Sequence, residues 1–223
     1  NEEKFKFKKY LNLLNNNSPA IVVNNIMSVK ETANHFIKGF DKKARAFVQI
    51  QTGCDHRCTF CIIPLRRGNS RSVPIAKIYN QIKILLENGF KEIVLTGVDL
   101  TSYGNDLYGE PKLGKLIKEI FKKIKNLERL RLSSLDAIEI DKDLIDIISH
   151  EERLMPHLHL SIQSGDNIIL KRMKRRHSRE DVINLCNNLK QFRNNIVFGA
   201  DIIAGFPTET NEMFLNSKKI LSE

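Results

Sequence analysis

The chain has 223 residues, enough for one sizeable core, and a formal net charge of +10. It has no run of about 18 apolar residues that would make a helical membrane span, and no secretory leader pattern is visible. Four cysteines in so long a chain do not suit a disulfide-built secreted domain, so reduced thiols in the cytoplasm are expected. The basic balance favours an anionic partner, nucleic acid first, although an AT-rich genome that inflates Lys, Asn and Ile produces the same balance.

Asn1 is not an initiator methionine, and residues 213–223 read as a helix still in progress. A piece of a longer chain is therefore expected. Residues 1–43 are expected to form a connector from an upstream domain. Within it, 4–14 suits a basic amphipathic helix, Asn15-Asn16-Asn17-Ser18-Pro19 breaks it, and 21–23 suits a short strand.

From Arg45 onward a strand–helix rhythm begins, and residues 44–223 are expected to form the core domain. Strands are predicted at 46–50, 92–95, 130–132, 157–162 and 196–203. Helices are predicted at 73–87, with Ser72 as N-cap, Pro74 in the first turn and Asn88-Gly89 as the stop. Further helices are expected at 113–124, at 142–148 behind Asp141, at 179–191 behind Ser178, and from Glu209 onward. Units of roughly 30–40 residues are those of parallel βαβ repeats. The fold class is α/β with a parallel sheet, open or curled toward a barrel.

Ligands in such folds sit at the carboxyl ends of the strands, and the unusual residues of this chain fall there. Cysteines follow the first strand. Thr96-Gly97-Val98-Asp99 ends the second, Ser133-Ser134 the third, Gln163-Ser164-Gly165 the fourth, and Ala204-Gly205-Phe206-Pro207 the fifth. Five such coincidences in register suggest one shared mouth.

Cys54, Cys58 and Cys61 are spaced C-x-x-x-C-x-x-C, with Phe60 beside the last. Three thiolates can hold a metal centre and leave one position open for a reacting ligand, whereas a closed structural site uses four. Three readings stand together: an iron–sulfur cubane held through three irons, a zinc site completed by His56, or ordinary buried thiols. Cys186 stands alone between Leu185 and Leu189 and reads as a core residue.

Glycine at Gly97, Gly199 and Gly205 permits close approach of a ligand, and equally suits a tight turn or strand–helix junction. Gln163 can bond a ligand or order its own loop. Arg66, Arg67 and Arg71 follow the cysteines, and Lys171, Arg172, Lys174, Arg175 and Arg176 form a second basic run. Both can contact phosphates, and both suit a solvated face. Only the first borders the proposed mouth.

Together these residues carry a resemblance. Cys54-x-x-x-Cys58-x-x-Cys61 with Phe60 is similar to the radical S-adenosylmethionine motif. The strings Gln51-Thr52-Gly53-Cys54, Cys61-Ile62-Ile63-Pro64, Leu95-Thr96-Gly97-Val98-Asp99, Gln163-Ser164-Gly165, Arg172-Met173-x-Arg175 and Gly205-Phe206-Pro207-Thr208-Glu209 resemble the methylthiotransferase branch. The match covers about residues 44–215. Ser70-Arg71-Ser72-Val73-Pro74 and Leu132-Ser133-Ser134-Leu135-Asp136 look most like the enzymes acting on threonylcarbamoyladenosine at position 37 of tRNA. Enzymes acting on isopentenyladenosine or on a ribosomal protein are the near alternatives, and a zinc-stabilised RNA-binding module without catalysis is a third.

The resemblance implies a partial (βα) radical-SAM barrel, truncated at both ends. It implies a [4Fe-4S] cluster on Cys54, Cys58 and Cys61, with S-adenosylmethionine bound at the open iron. One electron, from a separate donor, cleaves the cofactor to a 5′-deoxyadenosyl radical, and a methylthio group then replaces hydrogen at C2 of the modified adenosine. Carried over by motif position, Thr96 and Gly97 meet the methionine amino end. Ser133, Ser134 and Gln163 contact ribose or carboxylate. Gly199, Ala200 and Gly205 flank the adenine, and Phe60 packs on it. A second [4Fe-4S] cluster is expected on the missing upstream domain, and the family's C-terminal RNA-binding barrel is missing too. Leu65 departs from the aromatic or polar residue usual at its position. This piece alone is therefore not expected to complete methylthiolation.

Overall fold

The computed structural model describes residues 25–30, 32, 37–39 and 43–223. The expected helix at 4–14 and strand at 21–23 lie outside the described residues. The chain order is β1 (Arg45–Gln49), β2 (Gln51–Thr52), α1 (Ile63–Arg67), β3 (Arg71–Ser72), α2 (Ile75–Glu87), β4 (Glu92–Thr96), α3 (Leu113–Lys123), β5 (Arg129–Leu132), α4 (Lys142–His150), β6 (His157–Gln163), α5 (Asn167–Arg172), α6 (Arg179–Phe192), β7 (Val197–Ile202) and α7 (Asn211–Lys219). Short 3-10 turns lie at Ile26–Ser28, Leu100–Ser102 and Ala137–Glu139.

Strands β1, β4 and β5 pair in parallel in that order, and β6 pairs in parallel with β7. Main-chain bonds join the two sheets: Met155 donates to Leu130 O at 2.8 Å, Leu135 to His159 O at 2.8 Å, and Ser161 to Leu135 O at 2.9 Å. The five principal strands thus run in sequence order, and the expected parallel α/β fold is observed; no closed barrel forms among the described residues.

Register explains why these strands are amphipathic. The rows Ala46–Ile93–Leu130 and Val48–Leu95–Leu132 fall on one face, and all six side chains are buried. They belong to one continuous core with Ile78, Ile82 and Leu85 of α2 and Leu116, Ile117 and Ile120 of α3. Each such aliphatic burial contributes roughly 1.5–3 kcal/mol. The opposite face carries Arg45, Glu92, Arg129 and Arg131, with Glu92 at 3.8, 3.2 and 2.9 Å from the three arginines. Period-2 alternation therefore separates a helix-covered apolar face from one that mixes these charges with Phe47 and Val94.

Helix starts mostly match their caps. Asp141 accepts from Leu144 N, and Ser178 forms a capping box with Asp181. Ser72 does not cap α2 as expected. It belongs to β3, its N–H donates to Asp106 at 2.9 Å, and its hydroxyl accepts from Gly104 N at 2.8 Å. Pro74 is the residue flanking the first turn, at φ −56°. Part of the expected connector packs on the core: Gln81 of α2 exchanges two hydrogen bonds with the Ile37 main chain at 2.9 and 2.7 Å.

Candidate metal centre

The antiparallel pair β2–β3, with Gln51 opposite Ser72, closes the base of a loop that carries all three clustered cysteines. Gly53 opens this loop at φ +76°, and a Cβ there would lie 2.0 Å from Asn69 O. Only glycine suits both conditions. Cys54 N donates to Gly68 O at 3.1 Å, Ser70 N to Asp55 Oδ1 at 3.1 Å, and Cys61 N to Cys58 O at 3.1 Å. Gln51, fully buried, is the joint between this loop and the end of β4. Its amide donates to Gly53 O at 2.8 Å and Ser70 Oγ at 2.9 Å, and its carbonyl accepts from Val98 N and Asp99 N at 2.9 Å each.

Each later strand end contributes a residue to the rim. After β4 comes Asp99, bonded by the Ser102 hydroxyl at 2.6 Å and facing Cys54 Sγ at 3.7 Å. After β5 come Asp136 and Glu139. After β6 and α5 come Arg175, whose guanidinium donates to Asp136 Oδ2 at 2.9 Å and Ser161 O at 2.8 Å, and Arg176, which reaches Glu139 at 2.7 Å. The same turn grips the cysteine loop, since Thr59 N donates to Met173 O at 3.2 Å and its hydroxyl to Arg172 O at 3.0 Å. After β7, Thr208 accepts from Arg172 at 2.8 Å. The shared mouth is observed, held together largely by side chains other than those singled out for the cofactor.

The rim is electrostatically braced. Hydrogen bonds to Asp99 and Glu139 raise His56 to about 10 against the cost of its burial, so its Nε2 donates to Asp99 Oδ2 at 3.0 Å. Arg176 lies 2.8 Å from that same nitrogen; two donors cannot bond each other, and Glu139 holds the guanidinium there. Burial pushes the Glu139 carboxyl up, but His56 and Arg176 outweigh it and hold it at about 2. Burial likewise opposes ionisation of Asp136, yet His177 and Arg175 keep its carboxyl below the ordinary range. Burial, reinforced by Asp99, pushes the Cys54 thiol up to about 12, so a metal must displace its proton on binding.

All four cysteines are free thiols. A single tetrahedral zinc, with Zn–S near 2.3 Å, would bring its sulfurs to about 3.8 Å of one another. Among the described residues the donor sets converging within 4.8 Å are Cys54–His56–Asp99 and His56–Asp136–Glu139, not the three sulfurs. His56 is also committed to carboxylates. The Cys3His zinc reading is therefore not supported by the donor geometry, and three thiols on one loop, with His56 committed elsewhere, are the donor set that a cluster bound through three irons would use. Two buried donors at the strand ends lack partners, Ser133 Oγ after β5 and Arg175 Nε beside Cys58.

The other expected residues are placed as follows. Gly97 packs against Gln51, where a Cβ would stand 3.0 Å from Oε1. Thr96 is half-buried at the end of β4, and Ser134 and Phe60 are exposed. Gln163 takes a left-handed φ of 69° at the end of β6, next to a register shift in its pairing with β7. Gly199 and Ala200 lie on β7 opposite His159 and Leu160. Gly205 has φ +76° with open space around it, and its N–H donates to Glu209 at 2.6 Å.

One expectation about the basic residues is corrected and another is refined. Arg71 is buried and donates to Val29 O at 3.1 Å and Arg67 O at 2.8 Å, which removes it from any phosphate-binding surface. The second basic run is divided: Lys171, Arg172, Lys174 and Arg176 are exposed, as a solvated face would be, while Arg175 turns inward onto Asp136 and Arg172 and Arg176 also bond the rim. Arg66 and Arg67 are exposed. Asp99, Asp136 and Arg175 were within reach of sequence reasoning, for each lies inside a quoted motif string; nothing in the one-dimensional pattern says that they meet. Cys186 packs against the core, as expected.

The family model described as the Radical SAM superfamily matches residues 48–221. A threonylcarbamoyladenosine tRNA methylthiotransferase of Rickettsia prowazekii is 59% identical over 91% of this chain and 48% of its own length. The enzyme of that name from Aquifex aeolicus is 42% identical over 90% of this chain and 48% of its own. A tRNA-2-methylthio-N(6)-dimethylallyladenosine synthase of Ehrlichia chaffeensis is 39% identical over 82% of this chain and 41% of its own. The chain spans about half the length of the curated relatives it matches. Among solved structures, a radical S-adenosylmethionine methyltransferase, TsrM, from Kitasatospora setae is alike in fold, with TM-score 0.65 and 17% identity over 80% of this chain and 34% of that one.

Proposed function

Because the chain belongs to the radical SAM superfamily, we propose that it is the catalytic core of a tRNA methylthiotransferase that modifies C2 of threonylcarbamoyladenosine at position 37. The observation that carries this reading is the thiol triad on one loop at the mouth of a parallel α/β fold, with His56 held by carboxylates instead of completing a zinc site. The relatives at 59% and 42% identity supply the substrate. On this reading residues 44–223 are the core and 1–43 a connector.

Cys54, Cys58 and Cys61 hold the [4Fe-4S] cluster. Thr96 and Gly97 meet the methionine end of S-adenosylmethionine, Ser133, Ser134 and Gln163 its ribose or carboxylate, and Gly199, Ala200, Gly205 and Phe60 its adenine. When bound, these two groups supply one-electron chemistry at a carbon that acid–base catalysis cannot activate. The protein's own part is to fix the cysteine loop through Gln51 and Thr59, and to brace the rim with the His56–Asp99 and Arg176–Glu139 pairs. Exposed Arg66 and Arg67 offer charge to tRNA phosphates. The second cluster belongs to a domain upstream of this segment, an electron donor acts in trans, and a tRNA substrate places the reaction in the cytoplasm.

The test is iron, sulfide and zinc analysis after anaerobic reconstitution, with EPR of the reduced protein with and without S-adenosylmethionine. Four irons per chain and a spectrum perturbed by S-adenosylmethionine are expected; stoichiometric zinc and no signal would overturn the reading. Dimethylallyladenosine and threonylcarbamoyladenosine tRNAs, offered to the full-length enzyme, distinguish the two substrates named among the relatives.

A further inference from the structure

We infer that Arg175 is a positioning residue for the cluster. It holds a fixed positive charge on the Cys58 sulfur and thereby favours the reduced state. The inference rests on the reading that the three cysteines carry a [4Fe-4S] cluster.

Arg175 stands in the turn after α5, far in sequence from the cysteines. Its NH1 lies 3.8 Å from Cys58 Sγ. Its NH2 is fixed by Asp136 Oδ2 at 2.9 Å and Ser161 O at 2.8 Å, and its main-chain N–H donates to Leu170 O at 2.9 Å. The side chain is only 8% exposed. Rotation is blocked by two acceptors on one nitrogen, so the other nitrogen is presented to the sulfur without further ordering cost. Its Nε is buried and unpartnered.

The electrostatic consequence follows from charge. A cubane on three thiolates becomes more negative by one on reduction, and its potential is set by net charge and by hydrogen bonds to sulfur. Of the rim groups, the carboxylates Asp99, Asp136 and Glu139 oppose that change and are offset by His56 and Arg176, which lie on Asp99 and Glu139, whereas Arg175 is in contact with a cysteine sulfur. Water screens little at this burial. Removal of the guanidinium also leaves Asp136 less neutralised near the cluster. Both effects disfavour the reduced state.

The experiment is an EPR-monitored redox titration with dithionite of the reconstituted chain, comparing wild type with Arg175→Gln and Asp136→Asn. Arg175→Gln is expected to weaken the reduction equilibrium at least tenfold, a fall of about 59 mV for a one-electron couple. Asp136→Asn, which removes the opposing carboxylate and keeps the cation, is expected to shift it the other way. If Arg175→Gln does not load iron, the neutral variant Arg175→Met takes its place: a fall in potential supports the inference, and no shift or a rise overturns it. Variants that load four irons and titrate with the wild type would make Arg175 merely structural and overturn this inference alone. Failure of the wild type to load a cluster would instead overturn the functional reading beneath it.

Discussion

Gln51 holds Asp99 in place: the side-chain carbonyl of the first accepts the main-chain N–H of the second at 2.9 Å, across 47 intervening residues. The same oxygen takes Val98 N, and the same amide supports the cysteine loop. One buried side chain thus couples the loop that carries the thiols to the strand end that faces Cys54. Gln51→Ala would orphan the buried Asp99 N–H and the part-buried Val98 N–H. A loss of about 2–4 kcal/mol is expected, read from the urea midpoint, together with reduced iron content after reconstitution.

The loop should tolerate no side chain at Gly53. At φ +76°, with Asn69 O 2.0 Å from a Cβ, Gly53→Ala must displace the β2–β3 closure. Gly205→Ala is the control, having the same φ of +76° but open space. Iron per chain is expected to collapse in the first and to persist in the second.

The metal reading separates the four cysteines into three and one. Alanine at Cys54, Cys58 or Cys61 is expected to abolish the four-iron cluster, and alanine at Cys186 to leave it intact. A Cys58→Ala protein with full iron and sulfide would remove that residue from the ligand set.

Acid sensitivity should trace in part to Glu139. Its carboxyl is held at about 2 in the folded chain against an ordinary 4.5. A depressed folded value stabilises above 4.5 and loses that contribution as pH falls toward 2. Allowing for its partial exposure, the contribution is on the order of 2 kcal/mol. In the metal-free protein, Glu139→Gln should be less stable than wild type at pH 6, and the gap should close on acidification through that window. A gap that stays constant with pH would contradict the assignment.

Arg71 and its exposed neighbours should behave differently. Arg71→Ala removes donors from the Val29 and Arg67 carbonyls and should cost about 1–3 kcal/mol. It should leave the salt dependence of tRNA binding unchanged, whereas Arg66→Ala with Arg67→Ala should flatten that slope.

Much was legible in one dimension because it depends on local period and local chemistry. Alternation along β1 and β6 places Val48 and Leu160 in the core, the Asp141 and Ser178 caps satisfy amides within three residues, and the C-x-x-x-C-x-x-C spacing puts three thiols on one short loop. The misreadings have the opposite character. Ser72 looks like an N-cap until Gly104 takes its hydroxyl from 32 residues away, and Arg71 looks like a phosphate ligand until Val29 buries it. Arg175 looks like one more solvated cation of its run until Asp136 arrives from another strand end. Sequence by itself determined the parallel α/β rhythm and the clustering of three thiols on one short loop, since hydrophobic period and thiol spacing are properties of neighbouring residues. Only the tertiary structure decided what braces those donors, because a buried charge or amide is satisfied by whichever group the folded chain brings within hydrogen-bond reach, and chain separation does not constrain that choice.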